Sequence, residues 1–307
     1  MRLLAFLLLL SSQAFAQELV EVRNFGPNPG ALTMLSFTPA RVLRSPRLLV
    51  VLHGCLQGGN DIVRGSGLLE LAARQGLHLL VPQQNSGNNG ARCFNWFLPA
   101  DTQRDQGEAA SVKAMIDHTL AQTGIASDRV SIMGFSAGAA FTASMLAAYP
   151  ETFSKAIIAA GVPHGCATSA LNGFSCMGGS APAQNARTRG DHVRRSAGTF
   201  TGPWAEVMII HGTSDEIVNY KNAQFLVDQW TDVHAIPNTP AQSRDLGTYR
   251  ERVFADARGE VKVREVTIPN MRHGFPIDAA GGCGRAQSYV LDAKVCGAQL
   301  VWDFLQQ

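Results

Sequence analysis

The sequence predicts an α/β architecture, a mostly parallel sheet covered by helices on both faces. Three observations carry that expectation. Short continuous apolar runs such as Leu48–Leu52 are bounded by polar or glycine residues, as strands buried on both faces are. Stretches of helical periodicity separate these runs. No repeat, low-complexity tract or interdomain linker breaks the alternation. The composition agrees. The chain is 46% hydrophobic and 16% charged, below the usual charged share of about 25%, which excludes disordered, collagen-like and coiled-coil classes. Lys plus Arg number 26 against 24 acidic residues, with no basic run, so no nucleic-acid partner is expected.

The first residues stand outside the fold. Arg2 precedes the apolar run Leu3–Leu10, and Ala14-Phe15-Ala16 supplies a small-x-small cleavage site, the order of a secretory signal over residues 1–16. A spanning helix needs about 20 apolar residues, and Ser11-Ser12-Gln13 interrupts sooner. Export is expected, to the medium or the periplasm, with a chain from Gln17 to Gln307 forming one domain and having no membrane association after cleavage.

Leu48–Leu52 is the first buried strand. Leu68–Ala73 reads as a helix and His78–Val81 as the next strand, stopped by Pro82. Residues 83–103, rich in Gln, Asn and Gly, read as a long loop, a place where function often resides. Glu108–Gln122 is helical, Val130–Met133 a strand, and Ala139–Ala148 a helix ended by Pro150. Ala156–Ala160 and Val207–Ile210 are further buried strands. Val261–Ile268 alternates like an edge strand, and Gln287–Leu305 closes the chain as an amphipathic helix.

Chemistry concentrates at Gly134-Phe135-Ser136-Ala137-Gly138. A serine nucleophile must project from a tight strand-to-helix turn, and glycines two residues to either side leave room for it. G-x-S-x-G alone is a weak pattern. Its placement between a strand ending at Met133 and a helix of small residues marks Ser136 as the nucleophile. A hydroxyl needs a base, and the base an orienting acid. In α/β-hydrolases these follow in the order Ser, Asp or Glu, His. His273, in a loop past the strand at 261–268, is the candidate base. Asp215, in the turn after the strand at 207–210, is the candidate acid, with Glu216 as its rival. His211 ends a strand and reads as structural, and His234 lies on a helical stretch. The oxyanion needs donors. The N–H of Ala137, next after the nucleophile, is one candidate, and that of Cys55, in the His53-Gly54-Cys55 loop, is the other. The side chain of His53 reads as structural.

His53-Gly54-Cys55, Pro82-Gln83-Gln84, Cys93-Phe94-Asn95-Trp96-Phe97, Gly134–Gly138 and His211–Asp215 together resemble the catalytic domain of extracellular poly(3-hydroxybutyrate) depolymerases. The resemblance runs from about Arg23 to the end of the chain. It implies an α/β-hydrolase fold and a serine esterase acting on small hydroxyalkanoate esters or polyesters, in a family that shades into feruloyl and acetylxylan esterases. It maps nucleophile, acid and base onto Ser136, Asp215 and His273, and places Trp96 on the wall of the acyl cleft. Polymer-degrading members carry a linker and a substrate-binding domain after the catalytic domain; none is expected in this chain.

Six cysteines follow the signal, an even number that reads as disulfides after export. No C-x-x-C pair or His-Cys cluster has metal spacing, so neither a metal nor another cofactor is expected. Of fifteen possible pairings, the expected set is Cys55–Cys93, Cys166–Cys176 and Cys283–Cys296. The last two close short loops, and the first ties the oxyanion loop to the Trp96 loop. Two other functions compete with the polyester reading: a binding protein on an inactive hydrolase fold, and an esterase of plant polysaccharide side chains.

Overall fold

The computed structural model describes residues 18–41, 43–180 and 184–307; the predicted signal at 1–16 lies outside them. In chain order the main strands are β1 (Val20–Val22), β2 (Thr33–Phe37), β3 (Arg47–Leu52), β4 (Leu77–Gln83), β5 (Val130–Phe135), β6 (Lys155–Ala159), β7 (Glu206–Gly212), β8 (Gln242–Asp245), β9 (Arg250–Ala255) and β10 (Val261–Ile268). They form one ten-stranded sheet in the order β1-β2-β4-β3-β5-β6-β7-β10-β9-β8. From β4 across to β10 the neighbours run parallel. Antiparallel pairs extend both ends.

The α-helices are α1 (Gly59–Gly65), α2 (Leu68–Gln75), α3 (Pro99–Thr102), α4 (Gly107–Thr123), α5 (Ala137–Ala148), α6 (Ala170–Met177), α7 (Ala186–Ala197), α8 (Lys221–Val233) and α9 (Gly297–Gln306). Side chains of α4, α5, α7 and α8 pack on one face of the sheet. Those of α1, α2 and α9 pack on the other. β3 shows why the central strands read as unbroken apolar runs: Leu48, Val50 and Leu52 enter the first core, Leu49 and Val51 the second. Every residue of α5 is buried, and its run of Ala, Gly and Ser lets the helix lie close on β5 and β6.

Two expected elements differ in the structure. Val261–Ile268 is not an edge strand, because β10 lies between β7 and β9, and β8 is the edge. Its alternating polar residues meet charges on β9 rather than water: Glu265 pairs with Arg252 and Arg264 with Glu251. The last helix starts at Gly297, not Gln287. Tyr289 and Lys294 have φ of 62° and 56°, which a right-handed helix excludes. Residues 290–292 instead form β12 (Val290–Asp292), paired with β11 (Phe275–Ile277) in a small second sheet. The predicted loop is shorter than 83–103, since β4 runs through Gln83 and α3 occupies its far end.

The disulfides are Cys55–Cys93, Cys166–Cys176 and Cys283–Cys296. Their sequence separations are 38, 10 and 13 residues. Loop-closure entropy assigns about 4 kcal/mol to the longest and about 3 kcal/mol to each shorter one. Urea unfolding of paired Cys→Ser variants is expected to rank the Cys55–Cys93 pair as the costliest. A larger loss from either short loop runs against that ranking.

Candidate active site

β5 ends at the turn that carries Ser136. Its φ is 55° and ψ −120°, outside the regions L-residues ordinarily occupy, and α5 starts at the next residue. The flanking glycines are required sterically. A Cβ on Gly134 would collide with the Gly138 carbonyl, and one on Gly138 with the Leu52 carbonyl of β3. The Ser136 N–H donates to Ala159 O at 2.9 Å, fixing the turn to β6.

Asp215 and His273 arrive from two neighbouring strands, three residues past β7 and five past β10. His273 Nδ1 lies 2.8 Å from Asp215 Oδ2, and its Nε2 lies 2.9 Å from Ser136 Oγ. A carboxylate only accepts, so Nδ1 carries the proton and Nε2 accepts from the serine hydroxyl. The other carboxylate oxygen accepts from the N–H groups of Ile217 and Val218 at 3.0 and 2.8 Å. Burial pushes the Asp215 carboxyl up. The hydrogen bonds from His211 and His273 outweigh it and hold the group well below the usual carboxylate range. Glu216, the rival acid, turns outward to pair with Arg272.

Neither the Cys55 nor the Ala137 N–H donates to an acceptor among the described residues. Both flank the elbow, because Gly138 abuts the carbonyls of Leu52 and His53, and Gly54 abuts the Phe135 ring. His53 is fully buried. Its Nε2 accepts from the Gln84 N–H at 3.0 Å and its Nδ1 donates to Gly54 O at 2.8 Å, so it ties loops together. Burial lowers its pKa to about 4, keeping the ring neutral at ordinary pH. Trp96 is 9% exposed and belongs mainly to the core. Its remaining face lines a cleft of about 500 Å³ with Pro99, Thr102, Ala167 and His192; the triad does not line this cleft.

A family model described as esterase PHB depolymerase matches residues 32–255. The chain is 38% identical over 301 residues to poly(3-hydroxyalkanoate) depolymerase C of Paucimonas lemoignei, covering 97% of this chain and 72% of that protein. The chain belongs to the esterase PHB depolymerase family. An acetylxylan esterase of Coprinopsis cinerea is 29% identical over 266 residues, covering 85% of this chain and 70% of that protein. In fold, the acetyl xylan esterase from Aspergillus awamori superposes with a TM-score of 0.77 at 22% identity, covering 86% of this chain and 97% of that one. The sheet order and helix layers of this chain are those of the α/β-hydrolase fold.

Two further side chains touch the site residues or their loops, His211 and Glu108. His211 Nε2 lies 2.8 Å from Val218 O and 3.3 Å from Asp215 Oδ2, so the histidine set aside as structural also touches the acid. Its spacing of four residues from Asp215 was the available signal. Glu108 is 1% exposed and accepts from three amide N–H groups: Gln84 Nε2 at 2.5 Å, Asn95 Nδ2 at 2.8 Å and Asn95 N at 2.8 Å. An acidic residue in a first helical turn reads as an exposed dipole partner, so nothing in the sequence marked it as buried.

Burial pushes the Glu108 carboxyl up to about 8, against the pull of the Asn95 N–H and with further upward push from Asp101. Between the ordinary carboxylate range and about pH 8 the folded state therefore holds a proton that the unfolded state has lost. The stability this group contributes is present in acid and is lost as pH rises to about 8. Glu108→Gln is expected to flatten that slope in unfolding free energies measured from pH 5 to pH 9. An unchanged slope assigns the titration elsewhere.

Proposed function

We propose that this chain is a secreted serine esterase that hydrolyses ester bonds of short-chain hydroxyalkanoate oligomers and polyesters through an acyl-enzyme on Ser136. The observation that carries the chemistry is the hydrogen-bonded line Ser136–His273–Asp215, set beside two N–H groups with no acceptor among the described residues. His273 Nε2 takes the hydroxyl proton as Ser136 Oγ attacks the ester carbonyl carbon. The Cys55 and Ala137 N–H groups receive the oxyanion. Collapse breaks the C–O bond, and His273 returns the proton to the leaving alkoxide, releasing the alcohol. Water then repeats the sequence on the acyl-enzyme, freeing the acid and restoring Ser136.

The acyl class rests on the 38% identity to a poly(3-hydroxyalkanoate) depolymerase, against 29% to an acetylxylan esterase. Exposed apolar side chains close in sequence to the site residues, or on the helix facing Trp96, support it. Leu56 follows Cys55, Ile217 lies two residues past Asp215, and Leu171 and Phe174 lie on α6, whose Gly173 faces Trp96; all four are exposed. Secretion is supported by the three disulfides and by the signal pattern at residues 1–16. No helix among the described residues is long and apolar enough to cross a membrane.

Turnover of hydroxybutyrate oligomers, methyl ferulate, acetylated xylan and p-nitrophenyl esters tests the reading. Oligomers and short esters are expected to be cleaved best. Activity confined to feruloyl or acetyl-xylan esters transfers the function to the polysaccharide side-chain reading. Trp96→Ala is expected to raise KM for oligomers far more than for p-nitrophenyl acetate, which is too small to extend from Ser136 into the separate cleft that Trp96 lines. Equal losses place Trp96 in the scaffold.

A further inference from the structure

Glu108 opens α4 from a buried position, and none of its three hydrogen-bond donors is a cation. The charge that acts on it is a second acid, Asp101 of α3, whose Oδ1 accepts the Glu108 N–H at 3.2 Å. A carboxyl held this way, desolvated and beside another acid, is costly to the fold. What it holds is therefore informative.

Two branches leave it. The first runs to the proposed oxyanion donor. Gln84 Nε2 donates to Glu108 Oε1 and, at 3.2 Å, to Cys93 O. The Gln84 backbone N–H donates to His53 Nε2, which puts the imidazole proton on Nδ1, and Nδ1 donates to Gly54 O. The Gly54–Cys55 peptide is trans. In a planar trans peptide the C=O and N–H point in opposite directions. Holding the Gly54 oxygen therefore aims the Cys55 N–H. The second branch runs to the Trp96 cleft, because Asn95 gives Glu108 both its backbone N–H and its side-chain amide, and Trp96 is the next residue.

We propose that Glu108 is a positioning residue for ester hydrolysis: one buried carboxyl holds the oxyanion peptide through Gln84 and His53, and the Trp96 segment through Asn95. The inference rests on the reading of Ser136 as nucleophile and of the Cys55 N–H as oxyanion donor.

Assayed at pH 9, above the range in which the carboxyl keeps its proton, Glu108→Gln tests it, because the glutamine keeps the size but turns an NH₂ toward N–H donors. Rates are counted per active site by titration with a serine-reactive organophosphate, which removes misfolded protein from the comparison. Losing a whole oxyanion donor costs about 10²–10³-fold in kcat. A donor left in place but loosened is expected to cost about tenfold, equally on p-nitrophenyl acetate and on a hydroxybutyrate trimer. KM is expected to rise for the trimer only. Gln84→Leu, which cuts only the first branch, is expected to lower kcat on both substrates and leave the trimer KM near wild type. A Glu108→Gln enzyme with wild-type kcat and KM per titrated site, and only a lower Tm, makes Glu108 a scaffold residue and overturns the inference. If that variant does not fold, an unchanged kcat in Gln84→Leu overturns it instead. These results are separable from failure of the function itself, which appears as trimer left intact by the wild-type enzyme or as activity surviving in Ser136→Ala.

Discussion

Ser136→Ala is expected to lower kcat for p-nitrophenyl butyrate by about 10⁶-fold, and His273→Ala by nearly as much. The two side chains act on one proton. Without the imidazole 2.9 Å away, the hydroxyl has no acceptor along its line of attack. Without the hydroxyl, the imidazole has nothing to activate at that point. The double variant is expected to cost little more than either single one, since the residual rate comes from the oxyanion donors and substrate binding. Steady-state kinetics of the three variants checks this. Losses that multiply place the two residues in separate steps and dissolve the triad.

Asp215→Asn is expected to lower kcat by about 10⁴-fold with little change in fold. The local geometry dictates which way the amide turns. One carboxylate oxygen of Asp215 accepts two backbone N–H groups, from Ile217 and Val218, so the asparagine oxygen must take that place. Its NH₂ then faces His273 Nδ1, where the carboxylate had accepted. The ring responds by carrying its proton on Nε2, and a protonated Nε2 cannot receive the Ser136 hydroxyl proton. The same NH₂ also meets His211 Nε2, which donates to Val218 O and cannot turn to accept. Proton NMR offers an independent check, because the Nδ1 proton signal of His273 is expected in the wild-type enzyme and absent in Asp215→Asn. Activity within tenfold of wild type removes Asp215 from its orienting role.

The parts of this protein legible in its sequence are those whose cause is local. Leu48–Leu52, Val130–Met133, Ala156–Ala160 and Val207–Ile210 are apolar on both faces because both faces of the strand are covered, and that burial is written in consecutive residues. The elbow is likewise local: Gly134 and Gly138 answer to clashes within one turn and with the adjacent strand. The chain order of Ser136, Asp215 and His273 follows from the parallel strands β5, β7 and β10 delivering their loops at the same, C-terminal end of the sheet. The hydrogen-bonded line of these three side chains is therefore legible in the sequence.

What tertiary structure alone decided depends on partners far away in the chain. The alternation of β10 reads as one wet face until β9 supplies Glu251 against Arg264 on that face and Arg252 against Glu265 on the other. Gln287–Leu305 has the periodicity of one helix, yet the Cys283–Cys296 bond and the backbone turns at Tyr289 and Lys294 divert its first ten residues into β12 and loop. Glu108 carries no local mark of burial. Only the fold brings Gln84 and Asn95, 24 and 13 residues away, to desolvate it and occupy its oxygens. Sequence by itself determined which three side chains meet in the line Ser136–His273–Asp215, because their order follows from residue type and strand order. The fold decided how those groups are aimed, because aim depends on hydrogen bonds between segments that no spacing rule connects.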